Sequence, residues 1–487
     1  MLRSATLAVT AVAVAATTLA AQVPNAAPRQ MHVGTDSVPG ALPPVTAGPT
    51  VARYQADVDR IIAAALGDSA AWKRMAELTD TFGPRLSGTP ALEQALDWVL
   101  AEVKKDGLAN VRGEPVMVPH WVRGAESAEL VTPTRRKSLT ILGLGGTVGT
   151  PPNGITAPVV VLSSFDELTR RAADVKGKIV LFDVPFTSYG ETVMYRGTGP
   201  SRVAKLGAVG MLLRSVASYS MNTPHTGGLR YDTTVAKIPA AAVTVEDALL
   251  MHRMIDRGQP VKVTLKLGGH YLPDAPSKNV IGELVGREHP EQVVIVSGHM
   301  DSWDVGQGAM DDAGGVAASW EAVKLLKRLG LTPRRTIRVI GWTNEENGGR
   351  GGQGYRRAHD ADVANHVFAM ESDNGAFRPL GMGITANDSA VTVLRQVGAL
   401  LKSLGASAVT LGGGGADTGP LGAAGVPVAE PEVDGTRYFW FHHTNADMPD
   451  KLDPAEMARL TAVIAAYAYV VADLPDRLPQ GAARTNQ

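Results

Sequence analysis

The sequence predicts an α/β protein: a mostly parallel, twisted sheet with helices on both faces, interrupted by an inserted β-rich domain. Three observations predict it. From about residue 270 onward, strand-like and helix-like runs alternate as EQVVIVSG, GVAASWEAVKLLKRLG, RTIRVIGWT and HVFAMES, the order that a helix-covered parallel sheet requires. Between residues 143 and 269 the texture changes to short β-rich runs such as APVVVLSS, GKIVLFDV and AVGMLLRS, separated by turns. The 487 residues, 44% of them hydrophobic, suffice for a large core that carries an insertion.

Taken in order, residues 1–21 place Arg3 before an Ala/Val/Leu run ending in small residues at Ala20 and Ala21. This is the pattern of a cleaved signal peptide, so an exported protein is expected, periplasmic or secreted. Residues 22–50 hold six prolines without an apolar period and read as a linker. The main domain is expected over 51–142 and 270–475, with a tail at 476–487. Its start is helical: VARYQADVDRIIAAAL, SAAWKRMAEL and GTPALEQALDWVLAEVKKDG carry apolar residues at helical spacing, the last closing on basic residues and Gly107. A long final helix starts near Asp453, where Asp453, Pro454 and Glu456 form an N-terminal signature. No stretch after the first segment reads as long and apolar enough to cross a bilayer, so no stable membrane insertion is expected.

Composition narrows the chemistry. Forty-seven Lys and Arg against 48 Asp and Glu give a formal charge of -1, which recommends neither nucleic acid nor an anionic membrane as partner. There is no cysteine. Thiolate nucleophiles, disulfides and thiolate metal sites are therefore excluded, and any metal must be held by His, Asp and Glu.

The polar residues at strand ends carry the functional signal, because open α/β sheets bind ligands at the carboxyl ends of their strands. One strand runs into His299-Met300-Asp301, the next into Glu345-Glu346 and a third into Asp373, while Asp311-Asp312 and His442-His443 arrive on later loops. Alone, each has an ordinary reading, such as a solvated acidic pair or a charge favouring a helix N-terminus. Together they match two neighbouring divalent ions, each needing about three ligands with one carboxylate shared. His299 reads as a ligand, with Asp301 accepting its other N–H to fix the tautomer. Consecutive glutamates leaving a strand point different ways. Glu346 is accordingly assigned to metal and Glu345 to the general base that moves a proton from water to the leaving amine.

A competing motif is weighed and set aside. Gly349, Gly351 and Gly354 satisfy G-x-G-x-x-G after a strand, with Asp373 at the distance of a ribose-binding acid. Glu345 and Glu346 stand between strand and glycines, where a pyrophosphate would meet carboxylates. This run and LGGGGADTG at 411–419 read as loops beside the site.

The segments GHMDSWDVGQGAMDDAGG, TNEENGGRGG, MESDNG and FHHTNADMPDKLDP resemble the M28 family of metallopeptidases, in particular its carboxypeptidase Q branch, over roughly residues 50–475. The resemblance implies a zinc exopeptidase-like fold with a protease-associated domain at 143–269, two Zn²⁺ per chain and small peptides as substrates. Residue by residue, it implies metal ligation by His299, Asp311 (bridging), Glu346, Asp373 and His443, with Glu345 catalytic and His442 a neighbour. It implies homodimers as well. Carboxypeptidase or dipeptidase action is expected, with aminopeptidase action as the alternative and a non-catalytic receptor-like protein as a further class. Arg437 is the candidate anchor for a substrate carboxylate. Met448, where many relatives carry a hydroxyl residue, departs from the family pattern next to Asp447.

Overall fold

The structure, a computed structural model, describes residues 38–483. The expected signal peptide, residues 22–37 of the linker and the last four residues of the tail lie outside the described residues. The described chain builds two eight-stranded sheets.

In the first sheet the order is Ala109–Val122, His270–Leu284, Arg335–Trp342, His289–His299, His366–Glu371, Val428–Val433, Pro379–Thr385 and Ala408–Leu411. The four strands in the middle of this order run parallel to one another. Their sequences read as unbroken apolar runs because both faces are covered: every residue of Arg335–Trp342 and of His366–Glu371 is buried. Register then decides where the polar residues emerge. His299 lies opposite Trp342 and Ser297 opposite Glu371, so His299, Glu345-Glu346 and Asp373 leave the sheet at the same edge.

The helices form as their sequences direct. Pro90–Lys105 starts with Pro at its first turn and with the Thr89 hydroxyl accepting from the Leu92 amide, and it ends in Lys104 and Lys105. Gly314–Arg328 approaches the sheet closely at its start: a Cβ on Gly315 would sit 1.8 Å from the Ser372 carbonyl oxygen, so only glycine lets this helix begin there. Pro454–Asp473, capped by Asp453, packs against Gly314–Arg328 and Gln55–Leu66. By length and composition this helix could cross a bilayer, with a mean hydropathy of 1.3, contrary to the expectation that no such stretch exists; 83% of that window is buried inside the protein. Its apolarity serves the core.

The chain leaves the first sheet at Val122 and returns at His270, and these two residues face each other in neighbouring antiparallel strands. What lies between forms the second sheet, in the order Arg136–Leu139, Glu126–Val131, Lys262–Leu267, Ile155–Leu162, Ile179–Phe182, Gly210–Arg214, Ala240–Val243 and Ile141–Gly143. The strands Glu126–Val131 and Arg136–Leu139, which precede residue 143, also belong to it. Three helices accompany it, Phe165–Arg170, Tyr189–Ala204 and Val245–Asp256.

Candidate metal centre

At the shared strand edge the predicted residues converge. The His299 side chain is fully buried, with Nε2 3.1 Å from Asp311 Oδ1 and 3.2 Å from Asp373 Oδ1. Its Nδ1 donates to the carbonyl oxygen of Asp301 at 2.9 Å. The sequence reading gave this hydrogen bond to the Asp301 carboxylate. That group lies 3.8 Å away, because it is occupied: it accepts from the amides of Glu345 at 3.0 Å and Glu346 at 3.3 Å, and from the Ser87 hydroxyl. Asp301 thus fixes the imidazole through its main chain and the two glutamates through its side chain.

Asp311 connects the two halves of the site. Its Oδ1 faces His299, whereas Oδ2 lies 3.2 Å from Nε2 of His443 and 3.6 Å from Nε2 of His442. Glu346 Oε2 is 3.0 Å from the same His443 nitrogen. His442 stacks on His443 with ring centroids 3.5 Å apart. Two groups of donor atoms, each within 4.8 Å of one another, overlap at Asp311: His299, Asp311 and Asp373, and Asp311, His442 and His443. The adjacent Asp312 turns inward instead, accepting from the amides of His299 and Gly315, both at 3.0 Å.

His443 is held from outside its own sheet. It sits in the left-handed region, with φ at 59°, a conformation that costs a residue with a bulky side chain about 1 kcal/mol or more. Thr226, on a loop of the second sheet, donates its amide to the His443 carbonyl at 3.0 Å and offers its own carbonyl to Nδ1 at 3.4 Å. The Thr226 hydroxyl in turn donates to the Gly143 carbonyl at 2.8 Å.

The electrostatics of this cluster call for a cation. Burial, reinforced by Asp311, pushes the Glu346 carboxyl up to about 8. Burial likewise drives Asp373 well above the carboxylate range despite His299. Against burial, His299 and His443 pull Asp311 well below that range. Among the described residues, Asp311 Oδ2 and Glu346 Oε1 find no hydrogen-bond partner although both are buried. Buried oxygens left in this way are costly, and imidazole plus carboxylate donors, with no thiolate in the chain, fit zinc.

Two supports escaped the sequence reading. Arg85 is completely buried and donates to the carbonyls of Met300, Gln307 and Gly308, holding the loop that follows His299. Asp447 accepts from the amides of Ala309, Met310 and Asp311. Asp447 lies within a recognised motif but was given no role there, and nothing in the sequence joins Arg85 to residues more than two hundred positions away.

The centre opens into a cleft of about 960 Å³ lined from both sheets, with Asp311, Glu345, Glu346 and His443 on one side and Tyr189, Arg196 and Arg230 on the other. Arg437 is not among its lining residues. It pairs with Glu456 at 2.8 Å and lies over the Phe377 ring.

Comparison with known proteins follows the same outline. Residues 279–468 match the model of Peptidase family M28, and residues 155–251 match the PA domain. Carboxypeptidase Q of Bos taurus is 49% identical over 409 residues, which are 84% of this chain and 86% of the relative. The chain belongs to peptidase family M28. Carboxypeptidase Q of Homo sapiens is 47% identical over the same shares of the two chains. Among solved structures, a Peptidase M28 precursor from Shewanella amazonensis superposes with a TM-score of 0.85 at 34% identity, covering 88% of this chain and 99% of the other. BSAP, a zinc aminopeptidase from Bacillus subtilis, shares the fold with a TM-score of 0.61 at 21% identity, over 82% and 93% of the two chains. As an M28 chain, the protein is a metallopeptidase acting on peptides.

Proposed function

We propose that this M28 peptidase is an exported exopeptidase with two zinc ions, hydrolysing small peptides as a carboxypeptidase or dipeptidase. The observation that carries the reading is the shared Asp311, whose two oxygens face two separate donor groups. His299, Asp311 and Asp373 would hold one ion; Asp311, Glu346 and His443 would hold the other. His443 is preferred to His442 because its Nε2 lies at 3.0 Å from Glu346, whereas His442 approaches only Asp311, at 3.6 Å.

Zinc bound there supplies Lewis acidity toward a scissile carbonyl and toward water. The chain supplies the rest. Glu345 lines the cleft, its amide is fixed by Asp301, and its carboxyl is raised above the ordinary range, chiefly by burial. A carboxylate so raised accepts a proton from water and returns it to the leaving amine nitrogen at near-neutral pH. Asp301 keeps Glu345 and Glu346 in their separate directions through its two oxygens.

Aminopeptidase action is the second reading. It is favoured by a cavity beside Asp373 whose wall includes Glu430, an acid suited to a substrate ammonium group. A panel of dipeptides blocked at either end separates the two: loss of cleavage on amidating the carboxyl end supports the first, loss only on acylating the amine supports the second. Metal analysis finding no zinc, together with no chelator-sensitive activity, would refute both. Export rests on residues 1–21, and fractionation with sequencing of the mature N-terminus tests it. Homodimerisation rests on the family resemblance, and sedimentation tests it.

A further inference from the structure

Arg123 follows directly on Val122, where the chain leaves the first sheet. Its side chain turns back into the junction of the two sheets, where it is 11% exposed and lies over the Trp121 ring at 5.1 Å. Nε donates to Asp304 Oδ2 at 2.8 Å and Nη2 to Asp304 Oδ1 at 2.5 Å, a two-pronged pairing that fixes the plane of the guanidinium. Asp304 stands on the loop between His299 and Asp311, the segment that supplies a proposed ligand at each of its ends. The donors left over face the second sheet. Nη1 donates to the Gly143 carbonyl, and Nη2 also reaches the Thr226 hydroxyl at 3.4 Å.

These contacts close a circuit around one imidazole. Thr226 is the residue whose main chain holds His443, and its hydroxyl shares the Gly143 carbonyl with Arg123. From the other direction, the Trp303 ring meets the His443 ring at 5.6 Å. Gly145 of the second sheet admits that indole: a Cβ there would lie 1.9 Å from Trp303 Cη2. Neighbouring residues of the His299 loop therefore reach His443 by two routes, Trp303 by direct contact and Asp304 through Arg123 and Thr226. An ion pair that merely glued two sheets together could join any of their residues. This one joins the loop that carries Asp311 to the residue that holds His443, and the Asp311 and His443 side chains approach to 3.2 Å. Only a guanidinium has enough donors, fixed in one plane, to serve a carboxylate on one side and two oxygens on the other.

We propose that Arg123 is a positioning residue of the metal centre: by tying Asp304 to Gly143 and Thr226, it sets the separation of Asp311 and His443 and so builds the second zinc position. This deepens the proposed function and rests on its two-zinc reading. Glu126 supplies the internal control. Its carboxylate lies 3.7 Å from the same guanidinium and accepts the Gly143 amide at 2.8 Å, but it touches neither the His299 loop nor Thr226.

The experiment measures stepwise zinc affinity by chelator competition in wild type, Arg123→Met, Arg123→Lys, Asp304→Asn, the Arg123→Met/Asp304→Asn double variant and Glu126→Gln, with His443→Ala marking which step belongs to the second ion. That step should weaken about 10- to 100-fold in Arg123→Met and Asp304→Asn, while the other step and Glu126→Gln stay at wild-type values. The double variant should be no worse than the poorer single one, since both cut the same tie, and Arg123→Lys, which keeps the charge and loses the fork, should not restore the step. Equal weakening of both steps, a lowered Tm with both steps unchanged, additive losses, or full rescue by lysine would overturn the proposal. Hydrogen exchange of the metal-free protein gives a second readout: residues 440–446 should exchange faster in Arg123→Met than in Glu126→Gln, and equal protection would sink the tie. A wild type that binds fewer than two zinc ions would sink the proposed function, and the exchange rates would then decide the positioning role of Arg123 alone.

Discussion

Asp447 holds the turn that carries Asp311 by three successive amides: Oδ1 accepts from Ala309 at 3.1 Å and Met310 at 2.7 Å, and Oδ2 accepts from Asp311 at 3.3 Å. The proposed shared ligand is therefore positioned by a carboxylate whose two oxygens are engaged by main-chain amides. Asp447→Ala should weaken zinc binding about 10- to 100-fold, as loss of a ligand's supporting contact does. Competition with a chromogenic chelator measures this, and unchanged affinity would mean that the turn holds itself.

Glu345→Gln removes the proton acceptor while leaving the amide that Asp301 holds. Turnover should fall by about 10²- to 10⁴-fold with zinc content retained. Steady-state kinetics alongside metal analysis decides it; activity near wild type would exclude Glu345 as the base.

The two adjacent histidines should behave differently. His443→Ala should lower bound zinc by about one ion per chain, since its Nε2 meets both Asp311 and Glu346, whereas His442→Phe, which retains the stacking, should keep both ions. The opposite pattern would exchange their roles.

Removing the metal should destabilise the fold, because it leaves the carboxylates of Asp311, Glu346 and Asp373 confined together without a counter-ion. Chelation should lower Tm by about 10 °C or more, and added zinc should restore it. Calorimetric scans with and without chelator test this, and coincident scans would argue against the centre.

Away from the centre, Glu114 and His359 predict a window of pH-dependent stability. Burial pushes Glu114 up, but His359 and Arg112 outweigh it and hold the carboxyl below its ordinary value, so its contribution is present above that value and fades as pH falls through the depressed one. The hydrogen bond to Glu114 raises His359, whose contribution is present below the ordinary imidazole value and is lost as pH climbs through the raised one. The destabilisation caused by Glu114→Gln, about 1 kcal/mol, should therefore be greatest between about pH 4.5 and 6.5 and shrink on either side. Urea unfolding across pH would reveal a flat difference if the pair contributes nothing.

Much of this was legible in the sequence. Strands buried on both faces must be written as apolar runs, so Arg335–Trp342 and His366–Glu371 declared themselves, and the polar residues ending them declared the site. The family resemblance drawn from four motifs is matched by the 49% identity to Carboxypeptidase Q of Bos taurus. What stayed hidden depends on distant contacts. Arg85 serves carbonyls more than two hundred residues away, the Asp301 carboxylate turned to the glutamates instead of the imidazole, and Arg437 met Glu456 from the final helix. The helix Pro454–Asp473 is as apolar as a membrane span because it is surrounded by protein, a distinction that composition alone does not encode.

The paired contacts between Thr226 and His443 have a consequence for what can be digested. A segment of the second sheet grips the backbone of a proposed ligand, so that sheet cannot swing aside like a door without loosening the catalytic machinery. Under the proposed function, a substrate must therefore fit the assembled cleft of about 960 Å³ as it stands, which favours short, unfolded chain ends over compact proteins.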